Sequence, residues 1–117
     1  METLIFEMLD KCSGSRNVPK YAADAGKFYE KADEFVKLFS AVIGDIISYK
    51  QLGGEFALNN RHVSDIIKLS GQFSVTALTL LQDNAIICLQ KINYNGNRSA
   101  ILDNLAFYVA EVKSKGK

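Results

Sequence analysis

The sequence predicts an all-α protein, an antiparallel helical bundle built on a long helical hairpin (about 20–50 and 60–92) with shorter N- and C-terminal helices. Segment 20–50 keeps an apolar 4-3-4-3 spacing without a miss. Segment 60–92, wound as a helix, gathers its apolar groups into one continuous arc. The Val and Thr of "SVTALTLL" favour strands, but no second segment offers the matching alternation a partner strand would need. At 117 residues the chain fits one domain, 1–117, large enough to bury a core without disulfide or metal staples.

Taken in order, residues 2–12 place Leu4, Ile5, Met8 and Leu9 on one side of a short helix. Glu2, Glu7 and Asp10 interrupt this apolar patch and no basic stretch precedes it, which argues against a secretory leader. "CSGSRNVP" (12–19), "QLGGEFALNN" (51–60) and "NYNGN" (93–97) carry Gly and Asn at the density of turns. Pro19 suits the first turn of the next helix, where its missing N–H costs nothing. From there Tyr21, Ala25, Phe28, Ala32, Phe35, Phe39, Val42, Ile46 and Tyr49 form an a/d seam. Tyr29, Val36, Ile43 and Ile47 widen it, so this helix meets two neighbours.

In segment 60–92 the apolar arc is roughly 200° wide and includes Val63, Ile66, Leu69, Phe73, Ala77, Leu80, Leu81 and Cys88. Opposite it lie Arg61, Asp65, Lys68, Gln72, Thr76, Thr79, Asp83 and Gln90. This wet stripe excludes a membrane span, which needs about 20 consecutive apolar residues. Asp83 falls on the stripe, whereas Asn84 turns into the apolar arc. Asn59 or Asn60 is the expected N-cap. Gly71 is the weak point, since an interior Gly costs about 1 kcal/mol against Ala. Segment 98–113, with Ile101, Leu102, Leu105, Tyr108, Val109 and Val112, is the last amphipathic helix.

Unbroken, each long helix would run about 45–50 Å. Connectivity puts both short helices at one end of the hairpin, leaving Phe39, Val42, Ile43, Ile46, Phe56 and Ile66 uncovered at the other. Two arrangements resolve this. A second copy or partner covers the distal end, or segment 60–92 breaks at Gly71 and folds back into a compact monomer. The first is preferred here, because an interior Gly weakens a helix without dictating a break.

Chemistry is sparse. A net charge of +1 supplies no field for nucleic acid or an anionic membrane, and none is expected as a partner. His62 is the sole histidine, flanked by Arg61 and Asp65, and no second positioned group accompanies it. The carboxylates Asp24, Glu30, Asp33, Glu34 and Asp45 read as a solvated face, and no inward Glu-x-x-His pair suggests a metal bundle. Cys12 and Cys88 are too few for a disulfide framework and suit a reducing, cytoplasmic setting, although export without a leader is compatible with the sequence. No catalytic, cofactor-binding or metal-ligating residue is expected.

The function expected is a soluble, non-enzymatic helical module that binds another protein, or a second copy of itself as a homodimer. Adaptors, chaperones, inhibitor or immunity proteins and small viral proteins have this character. Its surface is expected at Phe39, Val42, Ile43, Ile46, Phe56 and Ile66, with Asn84 fixing register or partner number as lone seam polar groups do. The alternative is a carrier holding an apolar small molecule or lipid between the two long helices.

Overall fold

Backbone hydrogen bonding at the turns near residues 28, 72 and 96 sets where the helices on either side stop and start. The computed structural model describes residues 1–12, 17–53, 62–94 and 96–115. Within them run α1 (Glu2–Lys11), α2 (Val18–Gly26), a 3₁₀ turn (Tyr29–Lys31), α3 (Ala32–Leu52), α4 (Val63–Ser70), α5 (Val75–Asn93) and α6 (Arg98–Lys115). The all-α bundle predicted from periodicity is what the chain forms, and no strand occurs among the described residues. The expected N-cap at Asn59 or Asn60 lies outside them.

Both long helices of the predicted hairpin are divided. In segment 20–50, i to i−3 bonds replace the α ladder: Phe28 N–H donates to the Ala25 carbonyl at 3.0 Å and Lys31 N–H to that of Phe28 at 2.8 Å. The a/d phase survives this turn, since Phe28 stacks on Phe35 with ring centroids 5.4 Å apart. The two halves have different neighbours, however. α2 packs chiefly on α6, and α3 packs on α5 and α4. A straight helix over 31 residues would be about 46 Å long, more than the 40 Å of the molecule's longest dimension.

Segment 60–92 turns at 71–74. Gln72 and Phe73 N–H groups both donate to the Leu69 carbonyl, at 2.9 and 3.2 Å, which closes α4. The Lys50 ammonium, from the end of α3, satisfies the Ser70 carbonyl at 2.7 Å. Ser74 then starts α5 from an extended backbone, its Oγ accepting the Ala77 N–H at 3.0 Å. Phe73 and Leu78, both buried, occupy the positions just before the cap and four beyond it, where a hydrophobic staple fixes the angle of entry. Gly71 itself is in ordinary right-handed helical conformation, and a Cβ there would meet nothing closer than 3.6 Å. The break therefore belongs to Ser74 and Phe73 rather than to the glycine.

Folded back in this way, α5 lies along α3, and α6 returns beside α5 and across α2. At the α5–α6 junction Gly96 N–H donates to the Lys91 carbonyl at 2.9 Å, and Asn97 Oδ1 accepts the Ala100 N–H at 3.1 Å. A Cβ on Gly96 would sit 2.7 Å from that Lys91 oxygen, so the approach requires glycine. One core results, joining Ile5, Met8 and Leu9 of α1 to Phe35, Phe39 and Ile43 of α3, Leu78 and Leu81 of α5, and Leu102 and Leu105 of α6.

These roles separate in chemical denaturation. Ser74→Ala is expected to lower stability by about 1 kcal/mol through loss of the cap. Gly71→Ala is expected to raise it by about 0.4–1 kcal/mol by restricting the unfolded chain. Urea midpoints at constant m-value check both; a loss on Gly71→Ala would return the break to the glycine.

Candidate functional site

Of the six side chains expected to form a surface, five are inside the monomer. Phe39, Val42, Ile43, Ile46 and Ile66 are at most 2% exposed, because α4 and the folded-back α5 cover the distal part of α3. The expectation that a partner must cover them is corrected by the turn at 71–74, which supplies that cover from the chain itself. Phe56 lies outside the described residues. Nearby, Leu52 at the end of α3 and Ile67 on α4 are exposed. Two other surfaces carry organised side chains.

The first is a polar groove of about 300 Å³ between α1 and α4, with Phe6, Asp10, His62 and Lys68 in its walls. Here His62 stacks on Phe6 at 4.7 Å between centroids, its Nε2 lies 2.7 Å from Glu2 Oε1, and its Nδ1 lies 3.5 Å from Asp65 Oδ2. Asp10 is the groove's node. Its carboxylate accepts from Lys68 Nζ at 2.9 Å and from Gln72 Nε2 at 2.8 Å, while its backbone carbonyl accepts from Lys113 Nζ at 2.6 Å. Lys113 also stands 5.3 Å over the Phe73 ring. Asp10 thus ties α1 to α4, to the 71–74 turn and to α6. Partial burial pushes its carboxyl up, but the hydrogen bonds from Gln72 and Lys68 and the charges of Lys68 and Lys113 outweigh burial and hold it below its ordinary value. Burial pushes Lys113 down, partly offset by the charge of Asp10.

Two of the groove's ion pairs, His62–Glu2 and Lys68–Asp10, join α1 to α4, and a third, His62–Asp65, lies within the first turn of α4. Cys12 is buried behind α1, and desolvation lifts its thiol to about 11, so it is neutral and unreactive near pH 7. Cys88 is likewise buried and pushed up by desolvation. Among the described residues, no three His, Cys, Asp or Glu side chains are placed to hold a metal ion. Nor is any described helix long and apolar enough to cross a membrane.

The second surface is the outer face of α5 and α6. α5 buries Ala77, Leu78, Leu81, Ala85, Cys88 and Ile92 but leaves Leu80 and Ile87 at 45% and 47% exposed, with Phe107 of α6 at 53%. Between the two helices runs a groove with Tyr108 in its middle. Leu80 and Glu111 share the part on one side of Tyr108, about 190 Å³. Asn84, Lys91 and Asn104 share the part on the other, about 220 Å³. Asn84 is half-buried there, its Nδ2 3.8 Å from Cys88 Sγ, while Asp83 is exposed as the helical winding indicated.

No family model, curated protein or solved structure matches the chain.

The Asp10 node predicts an acid-sensitive clamp. A depressed folded-state value means that its contribution is full above the unfolded carboxylate range, near pH 4, and is lost as pH falls through the lower folded value. Asp10→Asn should therefore melt below the native protein at about pH 6, and the gap should narrow as pH falls below the unfolded carboxylate range. Melting curves across that range check it; a gap independent of pH would remove Asp10 from the clamp.

Proposed function

We propose that this chain is a non-enzymatic helical interaction module, of the adaptor, chaperone, inhibitor or small viral kind, whose partner docks on the outer face of α5 and α6. The partner is another protein or a second copy of the chain. The observation that supports this reading is the groove between α5 and α6, with Tyr108 and the half-exposed Leu80 in its walls, on two helices that also expose Ile87 and Phe107. Scattered single apolar residues are normal on a surface, but a groove between two helices with an exposed leucine in its wall suits a helical partner. Asn84, on the same groove, is placed to set register against whatever docks there.

The carrier alternative would need room between the two segments of the predicted hairpin. There Phe35, Phe39 and Ile43 of α3 and Leu78, Leu81 and Ala85 of α5 are fully buried in one cluster. That arrangement favours packing over ligand storage.

A photo-crosslinking residue in place of Ile87 tests the reading in the source cells. The expected result is a discrete protein adduct that disappears when Leu80→Asp is added, with the melting temperature within a few degrees of the native value, as for other exposed substitutions. Failure to form any adduct would overturn the α5–α6 face as a docking surface.

A further inference from the structure

We propose that the partner docked on the α5–α6 face is a helix that places a carboxylate in the pocket between Asn84, Lys91, Asn104 and Tyr108. The inference rests on the docking reading and names the chemistry of the partner.

Its basis is the difference between the two parts of the groove. The part beside Leu80 has Ala77 and Val112 in its wall and Glu111 as its charged residue. The part on the other side of Tyr108 has Lys91 as its charged residue and no carboxylate in its wall. Among the described residues, no hydrogen bond or ion pair engages the side chains of Lys91, Asn104 or Tyr108. Asn84 has only the long contact from its Nδ2 to Cys88 Sγ. An ammonium, two amides and a phenol thus border one pocket with donors that the chain itself does not use. The α1–α4 groove differs, because its His62 and Lys68 are already paired with Glu2 and Asp10 across the helices.

This set of groups selects an acceptor. An ammonium donates and never accepts, so an occupant meeting Lys91 must bring the acceptor. The two amides and the Tyr108 hydroxyl can donate to the same group. A carboxylate offers both the acceptor sites and the opposite charge, whereas a side-chain amide offers acceptors without the charge. A Lys or Arg in that place would face Lys91 with like charge. Beside Leu80 the preference is reversed, since a carboxylate there would face Glu111.

Spacing defines the partner further. Leu80 and Lys91 stand eleven residues apart on α5, about 16 Å along the helix. Eleven residues make about three whole turns, so two side chains with that separation lie on one face of a partner helix. Such a helix lays an apolar side chain against Leu80 and an Asp or Glu in the pocket beyond Tyr108. A charge pair at a solvent-exposed groove adds little affinity, and its effect is to choose the partner and its direction.

NMR titration of the isotopically labelled full chain with synthetic helical peptides tests this. The probes are alanine-based helices bearing one Leu and, three turns on, Glu, Gln or Lys. At low salt the Glu peptide is expected to bind at least about fivefold more tightly than the Lys peptide, moving the backbone amides of Asn84, Lys91 and Asn104. The Gln peptide should fall between them. Lys91→Glu should reverse the order, with unchanged circular dichroism. A Gln or Lys peptide that binds as well as the Glu peptide, or no binding of any peptide at about 1 mM, overturns the proposal. So does acetate alone, if it moves the same amides at the same concentrations, because the pocket is then a small-anion site. Movement of those amides on raising the chain's own concentration would make a second copy the occupant, with the same consequence. If the peptides fail while the crosslinker at position 87 captures a protein, the carboxylate falls and the interaction reading stands. If the crosslinker captures nothing, that reading falls as well.

Discussion

The reversal at Phe73–Ser74 is the constraint on which the rest of the bundle depends. Without it, α4 and α5 would continue as one rod and the middle of α3 would face water. The reversal takes one side-chain hydrogen bond, Ser74 Oγ to the Ala77 N–H, and one buried ring, Phe73, at the corner. Removing Phe39, Val42, Ile43 and Ile46 from water then follows, at roughly 1.5–3 kcal/mol for each large side chain, which exceeds by severalfold what one cap is worth. The corner directs the chain, and the burial it permits supplies the stabilisation. Asp10 completes the arrangement from outside by holding Lys68, Gln72 and Lys113 together, so that α1 closes over the turn instead of lying free.

Much of the fold was legible because apolar periodicity reports which side of a helix is buried. The seam from Tyr21 to Ile46 predicts its buried members: Tyr21, Ala25, Ala32, Phe35, Phe39, Val42 and Ile46 are all in the core. Periodicity is silent about which neighbour does the burying. The seam runs on through the 3₁₀ turn at Tyr29–Lys31 because one tighter turn hardly changes its phase, so α2 and α3 read as one helix while packing on different partners. The second break did leave a trace. A serine three residues before Ala77, preceded by a large apolar residue, is a start signal, but the nearby Gly71 draws the eye to the wrong position.

Of the polar groove only the local pair His62–Asp65 was legible. His62 with Glu2, Lys68 with Asp10, and Gln72 with Asp10 are separated by 60, 58 and 62 residues, and no local spacing rule links them. From the sequence His62 has only Arg61 and Asp65 for company, whereas in the fold its ring stacks on Phe6 and its Nε2 faces Glu2. The expected binding surface failed for the related reason that burial demand was read correctly and its source was not. Phe39, Ile43 and Ile66 needed cover, and the chain's own α4 and α5 provide it.

That transfer of cover moves the question of partners from α3 to α5. An apolar arc of roughly 200° is wider than two neighbouring helices can shield. α3 and α6 take the side bearing Leu78, Leu81, Ala85 and Cys88, and the excess comes out at Leu80 and Ile87. A helix needing only its intramolecular contacts could carry Lys, Gln or Glu at those two positions with no loss of helix propensity and a gain in solubility. Asn84 and Lys91 stand at the intervening seam positions, on the same groove. A seam made only of leucine would stick to many apolar surfaces. On the proposed reading, one interrupted by an amide and an ammonium would accept only partners whose side chains satisfy both groups, with selectivity gained at the expense of affinity.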